Sequence, residues 1–197
     1  EAEVLAEDIV IQNTQSIADG RDGKGIGVQE GARLTIKRAV VDNNRDLGVF
    51  VSSEAEVLAE DIVIQNTQSE ADGTGGRGID VQWGAHLTLE RATLTDNHEA
   101  SITVTWASVS VTDSLLQGTK LSPANLWGIA DGLLVTGSVV TTTGVIARGN
   151  ARAGILYDKS QGDISSCLIT DNAIGLADQG LPGATIADDN VVTGNEQ

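Results

Sequence analysis

Apolar and polar residues alternate along short stretches of this chain. Leu34 and Ile36 are separated by one polar residue, and Ala39 and Val41 by one other residue. A spacing of two is typical of a β-strand that buries one of its faces. The alternation predicts three short strands within one unit, at 25–29, 33–36 and 39–42, and the Val, Ile, Leu and Thr content favours strands over long helices.

The same unit recurs along the chain and opens each time with a small residue followed by an aliphatic one. The predicted starts are Gly25-Ile26, Gly48-Val49, Gly78-Ile79, Ser101-Ile102, Gly128-Ile129, Gly154-Ile155 and Gly175-Leu176. Units this short, with a spacing of two inside them, indicate strands wound into coils rather than paired helices. We therefore predict an all-β fold, a single-stranded right-handed parallel β-helix of about seven coils with three strands per coil.

The short unit is itself contained in a longer duplication. The sequence of residues 1–16 recurs letter for letter at 54–69, so the period is 54 − 1 = 53 residues and the copies span 1–53 and 54–106. We interpret 1–197 as one domain. Because a repeat is already under way at Glu1, we expect the domain to be part of a longer chain, with any targeting segment upstream. No apolar stretch approaches the roughly 20 residues that span a bilayer.

Fixed offsets from the coil starts predict the stacked interior. One inward column should contain Ile26, Val49, Ile79, Ile102, Ile129 and Ile155, and a second should contain Leu34, Ile36, Leu87 and Leu89. An Asn precedes most starts, which predicts a column of turn residues whose amides bond along the stack: Asn44, Asn97, Asn150, Asn172 and Asn195.

Three further residues fall at unusual interior positions. Asp131 and Asp178 occupy a slot that Val fills in other coils, and a buried unpaired carboxylate costs several kcal/mol. We expect local bulges or bends to turn both outward. Cys167 aligns with Ala39 and Ala92 and should be a small buried apolar residue.

The N-x-x-x-G-[IV] spacing and the segments GARLTIKR and GAHLTLER resemble the bacterial secreted or surface proteins with right-handed parallel β-helix repeats. The resemblance covers nearly the whole chain and implies an extracellular or cell-surface location. The pectate-lyase-like superfamily to which such repeats are similar includes lyases, hydrolases, phage tailspikes and adhesins. Membership therefore implies the fold and leaves the activity open.

The net charge of the chain limits the kinds of molecule that it can bind. Twelve Lys and Arg against 28 Asp and Glu give a net charge of −16, which opposes binding to nucleic-acid phosphates. The single cysteine excludes an internal disulfide.

Candidate catalytic groups are few. His86 and His98 stand at ordinary repeat positions and are expected to be solvated, as are the acidic clusters at 42–46 and 96–99. The Asp- and Gly-rich loops at 19–25 and 72–78 lack the ligand order of a calcium loop, so flexible turns are favoured. The sequence implies no catalytic residue, cofactor or metal.

The candidate binding residues surround two tryptophans. Trp83 and Trp106 each lie five residues after a coil start, so they should be stacked neighbours in an exposed column. Exposed aromatic rings form platforms for sugar rings, although the pair could instead shield a corner of the helix. Polar side chains from the first strand should project beside them: Asp80, Gln82, Thr103 and Thr105.

Three functions are compatible with these features. The first is a noncatalytic extracellular or surface module that binds a polysaccharide or another cell-surface ligand, or that serves in adhesion or display. The second is a carbohydrate-active enzyme or an inactive relative, which would need converging carboxylates. The third is a structural element that associates head to tail through open coil ends.

Overall fold

The computed structural model describes residues 2–18, 20, 22–124 and 128–197, and its regular elements are all β-strands. The strands are β1 (Glu3–Gln12), β2 (Ile26–Val28), β3 (Arg33–Asp42), β4 (Leu47–Ser52), β5 (Glu56–Gln65), β6 (Arg77–Gln82), β7 (His86–Glu90), β8 (Thr93–Thr95), β9 (Ala100–Thr105), β10 (Ser108–Thr112), β11 (Leu115–Gln117), β12 (Asp131–Thr136), β13 (Val139–Thr143), β14 (Ile146–Arg148), β15 (Ala153–Asp158), β16 (Gln161–Ser165), β17 (Leu168–Thr170), β18 (Ile174–Gln179), β19 (Gly183–Ile186) and β20 (Val191–Thr193). None of the described residues forms a helix able to cross a membrane.

The strands pair in parallel and form three faces around a common interior. Face 1 is a seven-stranded sheet of β2, β4, β6, β9, β12, β15 and β18. Faces 2 and 3 belong to one 13-stranded sheet. Face 2 consists of the first halves of β1, β3 and β5 followed by β7, β10, β13, β16 and β19, and face 3 of their second halves followed by β8, β11, β14, β17 and β20. The seven strands of face 1 define seven coils, so the predicted β-helix is confirmed.

A single residue turns the chain from face 2 to face 3. Arg38 has a φ of 51° and Asp61 a φ of 54° inside the long strands, and Arg91, with a φ of 52°, separates β7 from β8. The guanidinium of Arg91 donates to Asp61 Oδ1 at 2.7 Å and to Oδ2 at 3.1 Å. Such bidentate pairs align neighbouring corners.

The predicted inward column is confirmed with one exception. Strand register places Val49, Ile79 and Ile102 in one buried column. In the next coil the column continues through Leu133, which pairs with both Ile102 and Ile155. The assignment of Ile129 was therefore wrong.

The reason lies at Gly132, which takes the coil-start position. A Cβ atom there would lie 2.5 Å from the carbonyl oxygen of Gly154 and 3.0 Å from Asn150 Nδ2. The equivalent Gly78 is equally confined, by the carbonyl of Ser101 at 2.6 Å. Close packing of the coils selects glycine at this corner, and the loop before Gly132 is longer than the repeat predicts.

The second predicted set is also buried, but it forms two columns. Leu34 and Leu87 both pair with Val57, whereas Ile36 and Leu89 both pair with Ala59. The four predicted residues are between 0 and 9% exposed. Because positions facing the interior repeat from coil to coil, burial is continuous along the stack between its terminal strands.

The asparagine column lies inside the turn that leads from face 3 to face 1. Asn97 Oδ1 accepts hydrogen bonds from the backbone N and the Oγ1 of Thr67, while its Nδ2 donates to the carbonyl of Ile64. Asn150, Asn172 and Asn195 continue the ladder directly from one amide to the next.

The left-handed residue of this turn is the one before each buried asparagine. Asn43 has a φ of 51°, Asp96 of 57° and Gly149 of 62°. The amide column therefore satisfies backbone groups of the neighbouring coils, while the preceding residue makes the bend.

The two interior aspartates behave differently from the prediction. Asp131 is fully buried and accepts bonds from Arg152, so the expectation that it turns outward was wrong. Asp178 is exposed, but β18 runs through to Gln179 without an early bend, and Asp178 stays in register with Tyr157. Its exposure arises because β18 is the last strand of face 1. Cys167 is 2% exposed within the apolar core, as predicted.

Candidate functional site

Trp83 and Trp106 lie at the corner that joins face 1 to face 2. The backbone N of Trp83 donates to the carbonyl of Thr105 at 3.1 Å, and the N of Gly84 donates to the carbonyl of Trp106 at 2.7 Å. These bonds place the two tryptophans on successive coils, as predicted. They are 54% and 62% exposed, so the predicted exposed column is confirmed.

Every described residue of this column has a left-handed backbone. The φ angles are 56° at Glu30, 57° at Ser53, 49° at Trp83, 50° at Trp106, 58° at Gly137, 48° at Lys159 and 82° at Gly180. This region favours glycine, and a bulky side chain there is strained by about 1–3 kcal/mol. The two indoles therefore occupy costly backbone positions without being buried in return.

The indole of Trp106 rests on the following coil. A Cβ atom added at Gly137 would lie 2.7 Å from Cδ1 and 2.8 Å from Nε1 of this ring. The absence of a side chain at residue 137 leaves the space in which the pyrrole edge sits. Gly137 is thus part of the platform, a contact that the spacing of the coil starts did not predict.

The polar residues predicted beside the rings divide into two groups. Gln82 and Thr105 are partly exposed next to Trp83 and Trp106. Asp80 and Thr103 alternate with inward residues and so project outward as predicted, but they are only 2% and 5% exposed. The physical reason is a hydrogen-bond network that holds both side chains close to face 1.

Asp80 is the centre of that network. Its Oδ2 accepts from Arg77 NH1 at 3.1 Å and from Gln82 Nε2 at 2.7 Å, and its Oδ1 accepts from Thr103 Oγ1 at 2.8 Å. Arg77 also donates from Nε to Glu99 Oε2 at 3.0 Å. The guanidinium thus joins two carboxylates. Burial alone would lower the pKa of Arg77, but the attraction and hydrogen bonds of Asp80 and Glu99 together raise it.

Glu99 itself lies inside this arrangement. It is 6% exposed, and its Oε1 accepts from the backbone N of Gly75 at 3.0 Å. The prediction of a solvated acidic edge at 96–99 was therefore wrong for Glu99, because the loop before β6 closes over it. Sequence spacing gave one usable signal: Arg77 and Asp80 are three residues apart across a coil start.

Asp131 and Arg152 form a second such pair two coils further on. Arg152 Nε donates to Asp131 Oδ1 at 2.7 Å, and the backbone N of Ala153 donates to the same oxygen at 3.0 Å. Arg152 keeps 28% of its side chain exposed, whereas Asp131 has none. Each of these carboxylates is thus paired with an arginine and held close to face 1.

The histidines differ from each other. His86 is exposed on face 2, as predicted, and its Nδ1 contacts Ser108 Oγ. His98 is half-buried, and among the described residues its Nδ1 has no hydrogen-bond partner. Burial lowers the pKa of His98, with Lys120 acting in the same direction, so the prediction of a solvated His98 was wrong.

The acidic cluster at 42–46 is likewise only partly solvated. Burial raises the pKa of Asp46 to about 6, and the nearby charge of Glu70 acts in the same direction. Within the described ranges no group of three or more His, Cys, Asp or Glu is placed to hold a metal ion. Asp19 and Arg21, which belong to the predicted loop at 19–25, lie outside the described residues.

One comparison with known proteins bears on this chain. The family model described as "Right handed beta helix region" matches residues 5–116, more than half of the chain. A search of curated proteins finds no match.

Proposed function

Because the chain belongs to the right-handed β-helix family, we propose that it is a noncatalytic extracellular or surface module that binds a neutral polysaccharide through Trp83 and Trp106. The two residues lie on adjacent coils, whose paired strands are about 4.8 Å apart. Gln82 and Thr105 add polar groups at the edge of the rings. An apolar surface with a polar rim suits the faces and hydroxyl groups of pyranose sugars.

The observation that carries this proposal is the exposure of two indoles on adjacent coils, at backbone positions where a bulky side chain is strained. A residue selected only for stability at φ near 50° would be glycine or asparagine. Residues 83 and 106 instead carry the largest side chain, more than half exposed. Glu30, Ser53 and Lys159 share this backbone geometry, so what sets residues 83 and 106 apart is the pair of exposed indoles on adjacent coils.

The charges support a neutral ligand. The chain carries 16 more acidic than basic groups, which would repel a polyanionic chain. Stacking and neutral hydrogen bonds are little screened by salt, so affinity should change little between low and moderate ionic strength. The arginine-bound carboxylates of face 1 favour a binding role over hydrolysis, which needs carboxyl groups open to the substrate.

The test combines binding with stability. A polysaccharide array is probed with the protein and with the double variant Trp83→Gly, Trp106→Gly, and the affinity for a bound polysaccharide is then measured by calorimetry. We expect binding to be lost and thermal stability to be unchanged or raised, because glycine relieves the left-handed backbone. Glu30→Gly in the same column is the matched control and should leave affinity unchanged.

Two results would contradict the proposal. Binding that survives loss of both rings would place the ligand elsewhere on the helix. A double glycine variant that is clearly less stable than the original would show that the indoles shield the corner and serve the fold.

A further inference from the structure

The outer surface of face 2 changes character halfway along the stack. On β3, β5 and β7 its outward positions are mostly charged, and ion pairs link successive coils: Arg33 with Glu56 at 3.0 Å, and Lys37 with Glu60 at 3.3 Å. From β10 onward the same positions are nearly free of charge. The change occurs at the coil that carries Trp106.

The uncharged half is dominated by hydroxyl groups. We call the outward positions of β10, β13 and β16 the hydroxyl field; they are Ser108, Ser110, Thr112, Val139, Thr141, Thr143, Gln161, Asp163 and Ser165. All nine are partly or fully exposed, while the alternating residues Val109, Val111, Val140 and Thr142 are buried. Asp163 is the single charged group among the nine.

The register makes this surface regular. Ser108, Ser110 and Thr112 pair with Val139, Thr141 and Thr143. Neighbouring positions therefore lie about 4.8 Å apart between coils and nearly 7 Å apart along a strand. A shallow depression crosses this grid and is lined by Thr88, Ser108, Ser110, Val139 and Thr141, among others.

Several of these hydroxyls are available to a ligand. Thr143 and Ser165 bond each other at 3.2 Å. Within the described part of the chain, the hydroxyls of Ser110 and Thr141 have no protein partner. Each can donate one hydrogen bond and accept two, so each can act toward a sugar hydroxyl as donor or as acceptor.

We propose that the hydroxyl field extends the binding site, and that the ligand is a neutral polysaccharide chain long enough to pass from the tryptophan pair onto β10 and β13. This inference rests on the proposed function. The observation that supports it is that the tryptophan pair and the hydroxyl field adjoin: Trp106 is followed by Ala107 and then by Ser108, the first residue of the field. The charged half of face 2 offers no comparable path, because its carboxylates and cations already pair with each other.

The experiment compares short and long ligands. Neutral glucan and xylan oligosaccharides of two and six sugars are titrated into the protein and into Thr141→Glu and Ser110→Glu. We expect the six-sugar ligand that binds to bind at least tenfold more tightly than its two-sugar counterpart. Either glutamate should remove most of that gain, leaving the two-sugar affinity unchanged.

Thr35→Glu is the matched control, because Thr35 takes the corresponding outward position on the charged half of face 2. It adds the same charge and should leave both affinities unchanged. A six-sugar gain that persists in Thr141→Glu and Ser110→Glu overturns the hydroxyl field alone. Binding that survives in the Trp83→Gly, Trp106→Gly double variant overturns the proposed function. If the unaltered protein binds neither length of oligosaccharide, both the proposed function and the hydroxyl field are contradicted.

Discussion

Replacing Arg152 by Met should strongly destabilise the protein, because it leaves a buried carboxylate without its counter-charge. Asp131 has no exposed side-chain surface and is held by both guanidinium contacts of Arg152 and by the backbone N of Ala153. After the substitution only the backbone donor remains. Breaking a buried pair by removing one partner costs about 3–5 kcal/mol. We expect the low end of this range, since Arg152 is itself partly exposed.

Urea unfolding followed by circular dichroism measures this loss, and Arg148→Met is the control. Arg148 also bonds an oxygen of a neighbouring coil, Gln117 Oε1, but on an exposed surface, so its removal should cost less than about 1 kcal/mol. Asp131→Leu combined with Arg152→Met should recover much of the stability, because no uncompensated charge remains. A loss below about 1 kcal/mol for Arg152→Met, or strictly additive effects in the double variant, would refute the reasoning.

Three further outcomes follow from particular contacts. Gly137→Ala should weaken polysaccharide binding at least threefold by displacing the indole above it, whereas Gly149→Ala, at a similar φ with open space around it, should cost comparable stability and leave affinity unchanged in calorimetry. The pKa of Asp46 is raised to about 6, so its folded-state penalty develops as pH rises from about 4 through 6. Its replacement by Asn should therefore stabilise the protein by about 1–2 kcal/mol at pH 7.5 but not at pH 4, and equal melting shifts at both pH values would contradict this. Ile79→Asp should cost more than about 3 kcal/mol in urea unfolding, while Trp83→Asp should be mild, and similar losses at both sites would disprove the assigned register.

The periodic part of the molecule could be predicted from sequence, because each coil repeats the environment of the one before. Val49, Ile79 and Ile102 follow their coil starts at one fixed offset, and the structure places them in one column. The prediction failed where a loop changed length. The coil start lies at Gly132 instead of Gly128, as the pairing of Leu133 with Ile102 and the confinement of Gly132 by the neighbouring backbone show.

The candidate site, like the fold, could be predicted only where it follows the repeat. Alignment to coil starts placed Trp83 and Trp106 on one exposed corner, because the corner obeys the repeat. It could not predict the burial of Asp80, since its partners Arg77 and Thr103 come from the first residue of β6 and from the next coil. Side-chain networks that cross coils depend on loop closure, which a repeat pattern does not encode.

The left-handed corner between faces 1 and 2 provides a row of evenly spaced surface positions whose side chains can be exchanged. Glu30, Ser53 and Lys159 already occupy the same backbone geometry as the tryptophans, so the corner accepts acidic, small and basic groups alike. Each coil contributes one such position, and the spacing is fixed by strand pairing and is independent of the side chain chosen. Duplicating a coil would therefore lengthen the row by one position without redesigning the core, and a single substitution would change the chemistry of this surface at a spacing that is already set.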